Sequence, residues 1–439
     1  MGTRVAIVGA GSAGLAAAQA LAARDVDFVV FEAGSGVGGN WRYENDSGMS
    51  SAYRSLRANT SRRHTEYRCF PIGKSRSLFL DHTEMLDYLE RFTDHFDLRR
   101  RIRFRTRVTA ATPVDGAWDV TADGTTERFT ALTVATGYNS VPRYPKFPGR
   151  FDGLQMHTHD YRTPEPFRDR DVVVVGMGCS ASELAAEVRA VARSVALAAR
   201  SGSWVTPRRW GPIPIDWFET SLTSRLPIEV RRPPFALLFR LAAGGRGRSG
   251  LPAPDHPIGH KPITVSDDFL PAVRSGRIVP VAPVVELRGD RVLLADGSER
   301  RADALLYGTG YHTRFDFLPP EADAPTNERA ALYRGVLSLA TPNLFFIGLA
   351  FVHGALIPVM EAQANWAADV VAGRLALPSA AEMRRSVELD DAVRARYFDR
   401  RFAFLWDRLP YCRALESESA HARRQPGRTA TGAVRPTVA

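Results

Sequence analysis

The stretch VAIVGAGSAGLAAAQALAARDVDFVVFE, residues 5–32, decides the fold of this chain. Its apolar run Val5–Val8 is typical of a buried parallel strand, and Leu15–Ala23 is rich in Ala and free of Gly and Pro, which favours a helix. The glycine-rich residues 9–14 lie between them, and a second apolar strand, Val26–Phe31, follows the helix. Strand, glycine turn, helix and strand in this order predict a βαβ unit that binds a dinucleotide.

Each glycine of the turn has its own physical role in such a unit. Gly9 permits the tight turn, Gly11 lets the backbone approach a diphosphate, and Gly14 lets helix and strand pack closely. The helix N-terminus offers N–H groups to the same diphosphate. Glu32 ends the second strand, where its carboxylate can accept hydrogen bonds from a ribose diol. Because a carboxylate disfavours a 2′-phosphate, this site is predicted to bind FAD or NAD rather than NADP.

A second signal of the same kind begins at the apolar run Val172–Val175. It continues into the turn Gly176-Met177-Gly178-Cys179-Ser180-Ala181, a helix predicted over Leu184–Ala192, and a strand over Val195–Ala199. Ala181 takes the third glycine position, which this fingerprint tolerates because Ala is still small. The sequence therefore predicts two dinucleotide sites in one chain.

The two predicted units end in residues of opposite charge. Where the first ends in Glu32, the second ends in Arg200, whose guanidinium suits the 2′-phosphate of NADP. Arg208 and Arg209 are expected to add positive charge nearby. An acid after one fingerprint and an arginine after the other indicate FAD and NADPH as the pair of cofactors.

Composition limits the other possibilities. The 439 residues leave room for two or more cores, and the net charge of +10 comes from scattered basic residues. A solvated basic surface that attracts phosphorylated cofactors is favoured over a nucleic-acid partner. Cys69, Cys179 and Cys412 form no closely spaced pair, which argues against a disulfide framework, a metal site of the zinc type and a dithiol redox centre.

A cytoplasmic location is expected, because the N-terminus enters a strand without an export signal. The long apolar run Asn343–Met360 is interrupted by Gly and Pro, so it is interpreted as a buried strand, a turn and a helix start. The apolar stretch Phe235–Ala243 favours a packing helix, with a substrate entrance or a membrane contact as the alternatives. From Arg413 onward the chain is polar and without periodicity, which predicts disorder over 413–439.

Several other stretches carry weaker signals. Gly36–Trp41 (GVGGNW) suits a backbone that passes close to a flat ring system, and Asn59 offers both an amide donor and a carbonyl acceptor. Ala135-Thr136-Gly137-Tyr138 ends an apolar strand in a glycine where a nucleotide can approach, and Asp303–Tyr311 repeats that pattern. A helix with Gln363 at its start is predicted over 362–372.

The chain resembles the flavin-containing monooxygenases, class B flavoprotein monooxygenases, through one specific motif. Phe151-x-Gly153-x-x-x-His157-x-x-x-Tyr161 matches the identifying sequence FxGxxxHxxx(Y/F) of that family and lies between the two glycine motifs. Further matches cover about residues 4–370. The hydrophobic C-terminal anchor of the animal microsomal members has no counterpart here, so the resemblance is to a soluble, bacterial type.

The resemblance implies a set of cofactor-binding residues. It makes Asn59 the catalytic residue near the reactive flavin edge, and it gives Arg200 and Ser180 to NADPH. Together with the fingerprints, the predicted cofactor-binding residues are Gly9, Gly11, Ser12, Gly14, Glu32, Gly38, Gly39, Asn40, Trp41, Asn59, Thr60, Thr136, Gly176, Gly178, Ser180, Ala181, Arg200 and Gln363. No metal is expected.

The resemblance also implies a reaction. NADPH would reduce FAD, O2 would add to give a C4a-hydroperoxyflavin, and a soft nucleophile, an amine nitrogen or a sulfide sulfur, would take up oxygen as in N,N-dimethylaniline monooxygenases. Two alternatives stay open: Baeyer–Villiger oxygenation of a carbonyl substrate, and a flavin-binding scaffold with degenerate chemistry. The expected partners are a small-molecule nucleophile and O2, without nucleic acid or an integral membrane segment; a homodimer is an open expectation.

The predicted fold class is α/β, with two Rossmann-like dinucleotide-binding domains, the NADPH domain inserted into the FAD domain. The FAD-binding domain is expected to comprise residues 1–165 and 300–410. The NADPH-binding domain is expected over 166–299. Pro142, Pro145 and Pro148 mark a boundary between them.

Overall fold

The computed structural model describes residues 2–74, 76–242 and 250–424, and the chain divides into two compact units. The first unit contains the stretches up to Ser50, from Thr60 to Ser140, and from His312 onward. The second contains Ser51–Asn59 and Val141–Tyr311. Each unit is an α/β structure with its own parallel or mainly parallel sheet, which confirms the predicted fold class.

The first unit is organised around a seven-stranded sheet. Five neighbouring strands are parallel, and two short strands extend the sheet at one edge by antiparallel pairing. Across the sheet the strands are Leu332–Tyr333, Leu337–Ser338, Leu344–Phe346, Ala131–Val134, Arg4–Val8, Asp27–Phe31 and Ile102–Arg103. A three-stranded antiparallel sheet is formed by Val108–Val114, Ala117–Ala122 and Thr125–Phe129, and a short pair by Phe351–Val352 and Leu405–Trp406. The helices described in this unit are Ser12–Ala22, Arg62–Thr65, His82–His95, Ile357–Val371, Ala380–Tyr397 and Arg408–Arg424.

The helix that follows the first glycine turn packs on Ile357–Val371. Its many Ala side chains allow a close approach, and a buried ion pair fixes its C-terminal end. Arg24 Nε lies 2.7 Å from Asp369 Oδ1, and both side chains are almost fully buried. Arg24 also donates to the carbonyl of Ala20, one of the last carbonyls of the helix. This pair therefore ties the C-terminal end of the helix Ser12–Ala22 to the helix Ile357–Val371.

The second unit contains a five-stranded sheet whose strands are all parallel. In order across the sheet they are Leu154–His157, Ala304–Tyr307, Asp171–Val175, Ser194–Ala198 and Val279–Val281. A four-stranded sheet is formed by Glu299–Arg301, Arg291–Leu294, Val284–Gly289 and Gly149–Phe151. Further short strands are Val141–Pro142, Val205–Thr206, Arg209–Trp210, Ile213–Pro214, Thr264–Val265 and Tyr311–His312. The helices described in this unit are Cys179–Val188, Ile228–Ala242 and Phe269–Arg274.

The boundaries of the units differ from those expected. Residues 141–165 and 300–311 belong to the second unit, because strand Leu154–His157 pairs in parallel with Ala304–Tyr307 inside the five-stranded sheet. Ser51–Asn59 also belongs to the second unit. Which cofactor each unit binds stays a prediction at this stage.

The expectation of disorder is wrong for residues 413–424, which continue the helix Arg408–Arg424. Tyr411, Leu415 and Ser419 recur every four residues and are buried, so they form one face of this helix, which packs on Ile357–Val371. Glu418 accepts hydrogen bonds from Arg334 and Trp366. The rest of the segment predicted to be disordered, residues 425–439, lies outside the described residues.

Other differences concern element ends. The helix predicted from residue 362 begins at Ile357, so Gln363 lies inside it. The apolar helix predicted over Phe235–Ala243 begins earlier, at Ile228, and Ala243 lies outside the described residues.

No helix within the described ranges has the length and apolar character needed to cross a bilayer.

Candidate functional site

The first glycine turn is built from backbone in close contact. Gly9 has φ +104°, and its N–H donates to the carbonyl of Phe31 at 2.8 Å. A Cβ at Gly9 would lie 2.7 Å from the carbonyl oxygen of Ala135, and a Cβ at Gly14 would lie 1.8 Å from that of Gly9. Both positions therefore require glycine, one for conformation and space and the other for space alone.

The backbone at Gly38 and Gly39 covers this turn. The N–H of Gly38 donates to the carbonyl of Ala10 at 3.0 Å. Gly39 has φ +53°, and a Cβ there would lie 2.9 Å from the Cα of Gly11. Residues 9–14 and 38–39 together form a cradle of backbone without side chains. A diphosphate or a flat ring can approach such a surface closely.

Glu32 is buried and organises this cradle. Its Oε2 accepts from the N–H of Ala10 at 2.6 Å, and its Oε1 accepts from the N–H of Gly34 at 2.7 Å. A carboxylate has about four acceptor positions, so both oxygens keep a lone pair for the hydroxyls of a ribose. This geometry is compatible with the predicted role of Glu32 at a ribose diol. It also gives Glu32 a second role, because its carboxylate holds the turn in place.

The other residues predicted for the first site differ in their exposure and contacts. Gly39, Asn40 and Trp41 form a single helical turn, in which Asn40 is exposed. Ser12 opens the helix Ser12–Ala22, whose N-cap is Gly11, a residue without a side chain to cap the free N–H groups. Thr136 is half-buried after the strand Ala131–Val134. Thr60 Oγ1 lies 2.7 Å from Thr65 Oγ1.

Gln363 does not fit its predicted role. The residue has no exposed surface. Its Oε1 accepts from the N–H of Gly348 at 2.8 Å, and its Nε2 donates to the hydroxyl of Tyr411 at 2.9 Å. The side chain therefore ties the helix Ile357–Val371 to its surroundings, and we replace the predicted cofactor contact with this structural role.

The second glycine turn, residues 176–181, has the same form as the turn at residues 9–14, but different residues make its close contacts. Gly176 has φ +120°, and a Cβ there would lie 2.4 Å from the carbonyl oxygen of Gly308. A Cβ at Gly308 would lie 2.4 Å from the Cβ of Ala181. Gly178, the N-cap of the helix Cys179–Val188, and Ser180 are exposed. The turn is therefore accessible to a ligand along its outer side.

The charges at this turn are distributed differently from the prediction. Arg200 is exposed just after the strand Ser194–Ala198, and its neighbour Ala199 lines a cavity of about 470 Å³ in the second unit. Arg209 is exposed as well. Arg208 is buried against the carboxylates of Glu183 and Asp267, so its charge is already neutralised and is not offered to a phosphate. The prediction for Arg208 is therefore wrong.

Asn59 carries an observation that points to a ligand. Its Oδ1 is buried and has no hydrogen-bond partner among the residues that the structure describes. Buried polar atoms are nearly always paired, so an orphaned acceptor calls for a partner that the polypeptide does not supply. The role of Asn59 near the reactive flavin edge stays a prediction, and its orphaned carbonyl oxygen is compatible with it.

The motif Phe151–Tyr161 is part of the scaffold. A Cβ at Gly153 would lie 2.5 Å from the carbonyl oxygen of Asp303, so only glycine fits there. His157 is fully buried, and its Nδ1 accepts from the N–H of His159 at 3.0 Å. Burial lowers the pKa of His157 to about 4, so the ring is neutral at physiological pH. The motif therefore positions strand Leu154–His157 and the turn that follows it.

In the described part of the chain, no three His, Cys, Asp or Glu residues are arranged to hold a metal ion.

Comparison with known sequences identifies close relatives along most of the chain. The sequence model of the family "Flavin-binding monooxygenase-like" matches residues 2–404. Flavin-containing monooxygenase 5 of Oryctolagus cuniculus is 31% identical over 422 residues, which are 91% of this chain and 79% of the relative. Dimethylaniline monooxygenase [N-oxide-forming] 4 of Mus musculus is 30% identical over 402 residues, 86% of this chain and 71% of the relative.

Solved structures with the same fold agree with the sequence relatives. S-allyl-L-cysteine S-oxygenase from Allium sativum superimposes with a TM-score of 0.72 and 26% identity, covering 96% of this chain and 89% of that one. Cyclohexanone monooxygenase from Rhodococcus sp. Phi1 bound to NADP+ superimposes with a TM-score of 0.72 and 19% identity, covering 97% of this chain and 99% of that one. At this identity the similarity establishes a shared fold and nothing more. Two glycine cradles, a matching family model over nearly the whole chain and these relatives lead to one conclusion: the chain belongs to the flavin-binding monooxygenase-like family.

Proposed function

We propose that this flavin monooxygenase uses NADPH and O2 to oxygenate the nitrogen of an amine or the sulfur of a sulfide in a small molecule. FAD and NADP are its cofactors, and the bound flavin, once reduced by NADPH, supplies the chemistry that activates O2. One oxygen atom goes to the substrate and the other leaves as water, with NADP+ as the second product. The observation that carries the proposal is the pair of glycine cradles, one with Glu32 and one with Arg200.

The residues of the two cradles would bind and orient the cofactors. The helices Ser12–Ala22 and Cys179–Val188 both have glycine as the N-cap, so each would donate backbone N–H groups to a diphosphate. Glu32 would accept hydrogen bonds from the ribose of FAD, and the exposed Arg200 would pair with the 2′-phosphate of NADPH. Asn59 would satisfy its orphaned carbonyl oxygen on a bound cofactor ring.

The substrate class follows from what oxygen transfer requires. An amine nitrogen or a sulfide sulfur attacks with its own lone pair, so the protein needs no side-chain base to activate it. The chain then has to place the cofactors and exclude water. The similarity to the Allium sativum S-oxygenase and to the N-oxide-forming mouse relative supports this class. The carbonyl alternative has support only at the level of the fold, through cyclohexanone monooxygenase.

Anaerobic reduction followed by oxygenation tests the proposal. The purified flavoprotein is mixed with NADPH or with NADH, and the bleaching of the flavin is followed before O2 is admitted with N,N-dimethylaniline, thioanisole or cyclohexanone. We expect faster bleaching with NADPH, and an N-oxide or a sulfoxide as product. A lactone as the main product would establish the carbonyl alternative. A flavin that does not bleach would favour the scaffold alternative, and bleaching that yields only H2O2 would contradict the proposal.

The predicted cytoplasmic location and the homodimer stay predictions.

A further inference from the structure

The segment Ser51–Asn59 is hydrogen-bonded to the helix Cys179–Val188, which follows the glycine turn at residues 176–181. The hydroxyl of Tyr53 donates to Glu183 Oε2 at 2.8 Å, and that of Ser55 donates to Glu187 Oε2 at 2.6 Å. Glu183 and Glu187 are four residues apart on the helix Cys179–Val188, so they lie on one face. The first bond is partly buried and the second is exposed to solvent.

Arg208 extends the buried attachment to the end of the segment. Arg208 is 8% exposed, its guanidinium contacts both Glu183 and Asp267, and its backbone N–H donates to Asp267 Oδ1 at 2.8 Å. Its Nε donates to the carbonyl of Ala58 at 3.3 Å. Arg208 therefore joins the helix directly to the peptide group that precedes Asn59.

The members of this cluster hold one another in a charged, hydrogen-bonded state. Burial raises the pKa of Glu183, against the lowering effect of the Arg208 guanidinium. Burial works to lower the pKa of Arg208, but the carboxylates of Glu183 and Asp267 raise it overall. Burial and the charge of Glu183 raise the pKa of Tyr53 well above its ordinary value, so its hydroxyl stays a donor. A buried pair of this kind is rigid only while every member is present.

We propose that Glu183 and Arg208 are positioning residues for Asn59: they fix the Ser51–Asn59 segment so that the Asn59 amide is held for a bound cofactor. Because Glu183 lies in the first two turns of the helix Cys179–Val188, Glu183 and Arg208 also link the position of Asn59 to the proposed NADP cradle. The inference rests on the proposed function, since it is that function which gives Asn59 a cofactor to bind.

Three variants of the FAD-loaded protein test the proposal. Glu183→Gln removes the charge that Arg208 contacts, and Tyr53→Phe removes one hydrogen bond while keeping the ring that packs on Tyr161. Ser55→Ala is the matched control, because it removes a bond between the same segment and the same helix at an exposed site. FAD content and melting temperature identify any variant that does not fold, and Tyr53→Phe then carries the test.

The first readout needs no turnover. Amide hydrogen exchange in residues 54–59 reports how firmly the segment is held. We expect exchange at least about tenfold faster in Glu183→Gln, an intermediate increase in Tyr53→Phe, and less than about twofold change in Ser55→Ala. Equal rates in all variants and the unmodified protein would overturn the proposal, whether or not the protein oxygenates amines or sulfides.

The second readout separates positioning from general destabilisation. We expect Glu183→Gln to increase the fraction of oxidised NADPH that appears as H2O2 instead of oxygenated product, while Ser55→Ala leaves it unchanged. In an Asn59→Ala background, Glu183→Gln should add no further H2O2, because residues that act through one another are not additive. Additive effects would show that Glu183 does not act through Asn59. Absence of product from the unmodified protein would instead count against the proposed function.

Discussion

The two glycine turns follow the same course of strand, turn and helix, but they exchange their small residues. In the first unit Gly14 on the helix faces Ala135 on the neighbouring strand, with 3.6 Å between a Cβ at Gly14 and the Cβ of Ala135. In the second, Ala181 on the helix faces Gly308. The 3.6 Å distance is an ordinary van der Waals contact, so Gly14 is required by the carbonyl oxygen of Gly9 and not by Ala135. Gly308, by contrast, is required by the Cβ of Ala181, so in the second unit the requirement falls on a pair of residues, of which the turn fingerprint shows only one.

The turns also differ in what covers them. In the first unit Gly39 lies against Gly11, so the turn is enclosed by a second stretch of backbone. In the second unit a Cβ at Gly178 would meet no atom of the described chain within 4 Å. An enclosed turn suits a cofactor that stays bound through many turnovers, and an open one suits a cofactor that binds and leaves. This matches FAD for the first unit and NADP for the second.

The largest expected effect is at the position where the two turns differ most. Gly14→Ala would place a methyl group 1.8 Å from the carbonyl oxygen of Gly9, and backbone cannot yield that far. We expect a loss of more than ~3 kcal/mol of stability and a protein purified without FAD. The counterpart Ala181→Gly should cost only about 1 kcal/mol, the difference in helix propensity. Denaturant unfolding and the flavin absorbance measure both; a stable yellow Gly14→Ala protein would contradict the geometry.

A smaller effect tests the exchanged pair itself. Gly308→Ala would bring two methyl groups to 2.4 Å, and we expect a loss of about 2 kcal/mol from overpacking. Combining it with Ala181→Gly removes one methyl group and should restore part of that loss. Recovery stays partial because the new Cβ would still lie 2.8 Å from the Cα of residue 181. Strictly additive losses in the double variant would mean that the pair is not what sets the spacing.

The smallest expected effect concerns the charge that distinguishes the sites. Arg200→Ala removes a charge-assisted contact worth about 1.5–2 kcal/mol, so the KM for NADPH should rise about tenfold to thirtyfold while the KM for NADH stays unchanged. Arg277→Ala, at another exposed position of the second unit, is the control. A parallel loss with NADPH and NADH would show that Arg200 does not contact the 2′-phosphate.

The βαβ units were predictable because their signals are local. Strand Arg4–Val8 and helix Ser12–Ala22 lie within a few residues of the predicted bounds, and Asp171–Val175 agrees equally well. Apolar runs, glycines and an Ala-rich stretch specify these elements without help from the rest of the chain. The family motif over 151–161 was also visible in the sequence.

The unpredicted features depend on residues that are distant in sequence. Arg208 looked available to a phosphate because its partners Glu183 and Asp267 are 25 and 59 residues away. Gln363 is buried against the helix Arg408–Arg424. That helix could not be predicted, because its apolar face lies in a stretch of sequence that is polar overall. The attachment of Tyr53 to Glu183 had one available signal, a carboxylate in the first two turns of an Ala-rich helix.

The division of the units along the chain has a consequence for how the protein is made. Apart from Ser51–Asn59, the second unit is one continuous stretch, Val141–Tyr311, whereas the first needs strand Leu344–Phe346 and the helix Ile357–Val371 from beyond it. During synthesis the second unit leaves the ribosome complete while the first still lacks part of its sheet. The proposed FAD cradle at Gly9–Gly14 is thus translated early, whereas the helix Ile357–Val371 that supports it is translated late, so we expect FAD to bind only near the end of synthesis.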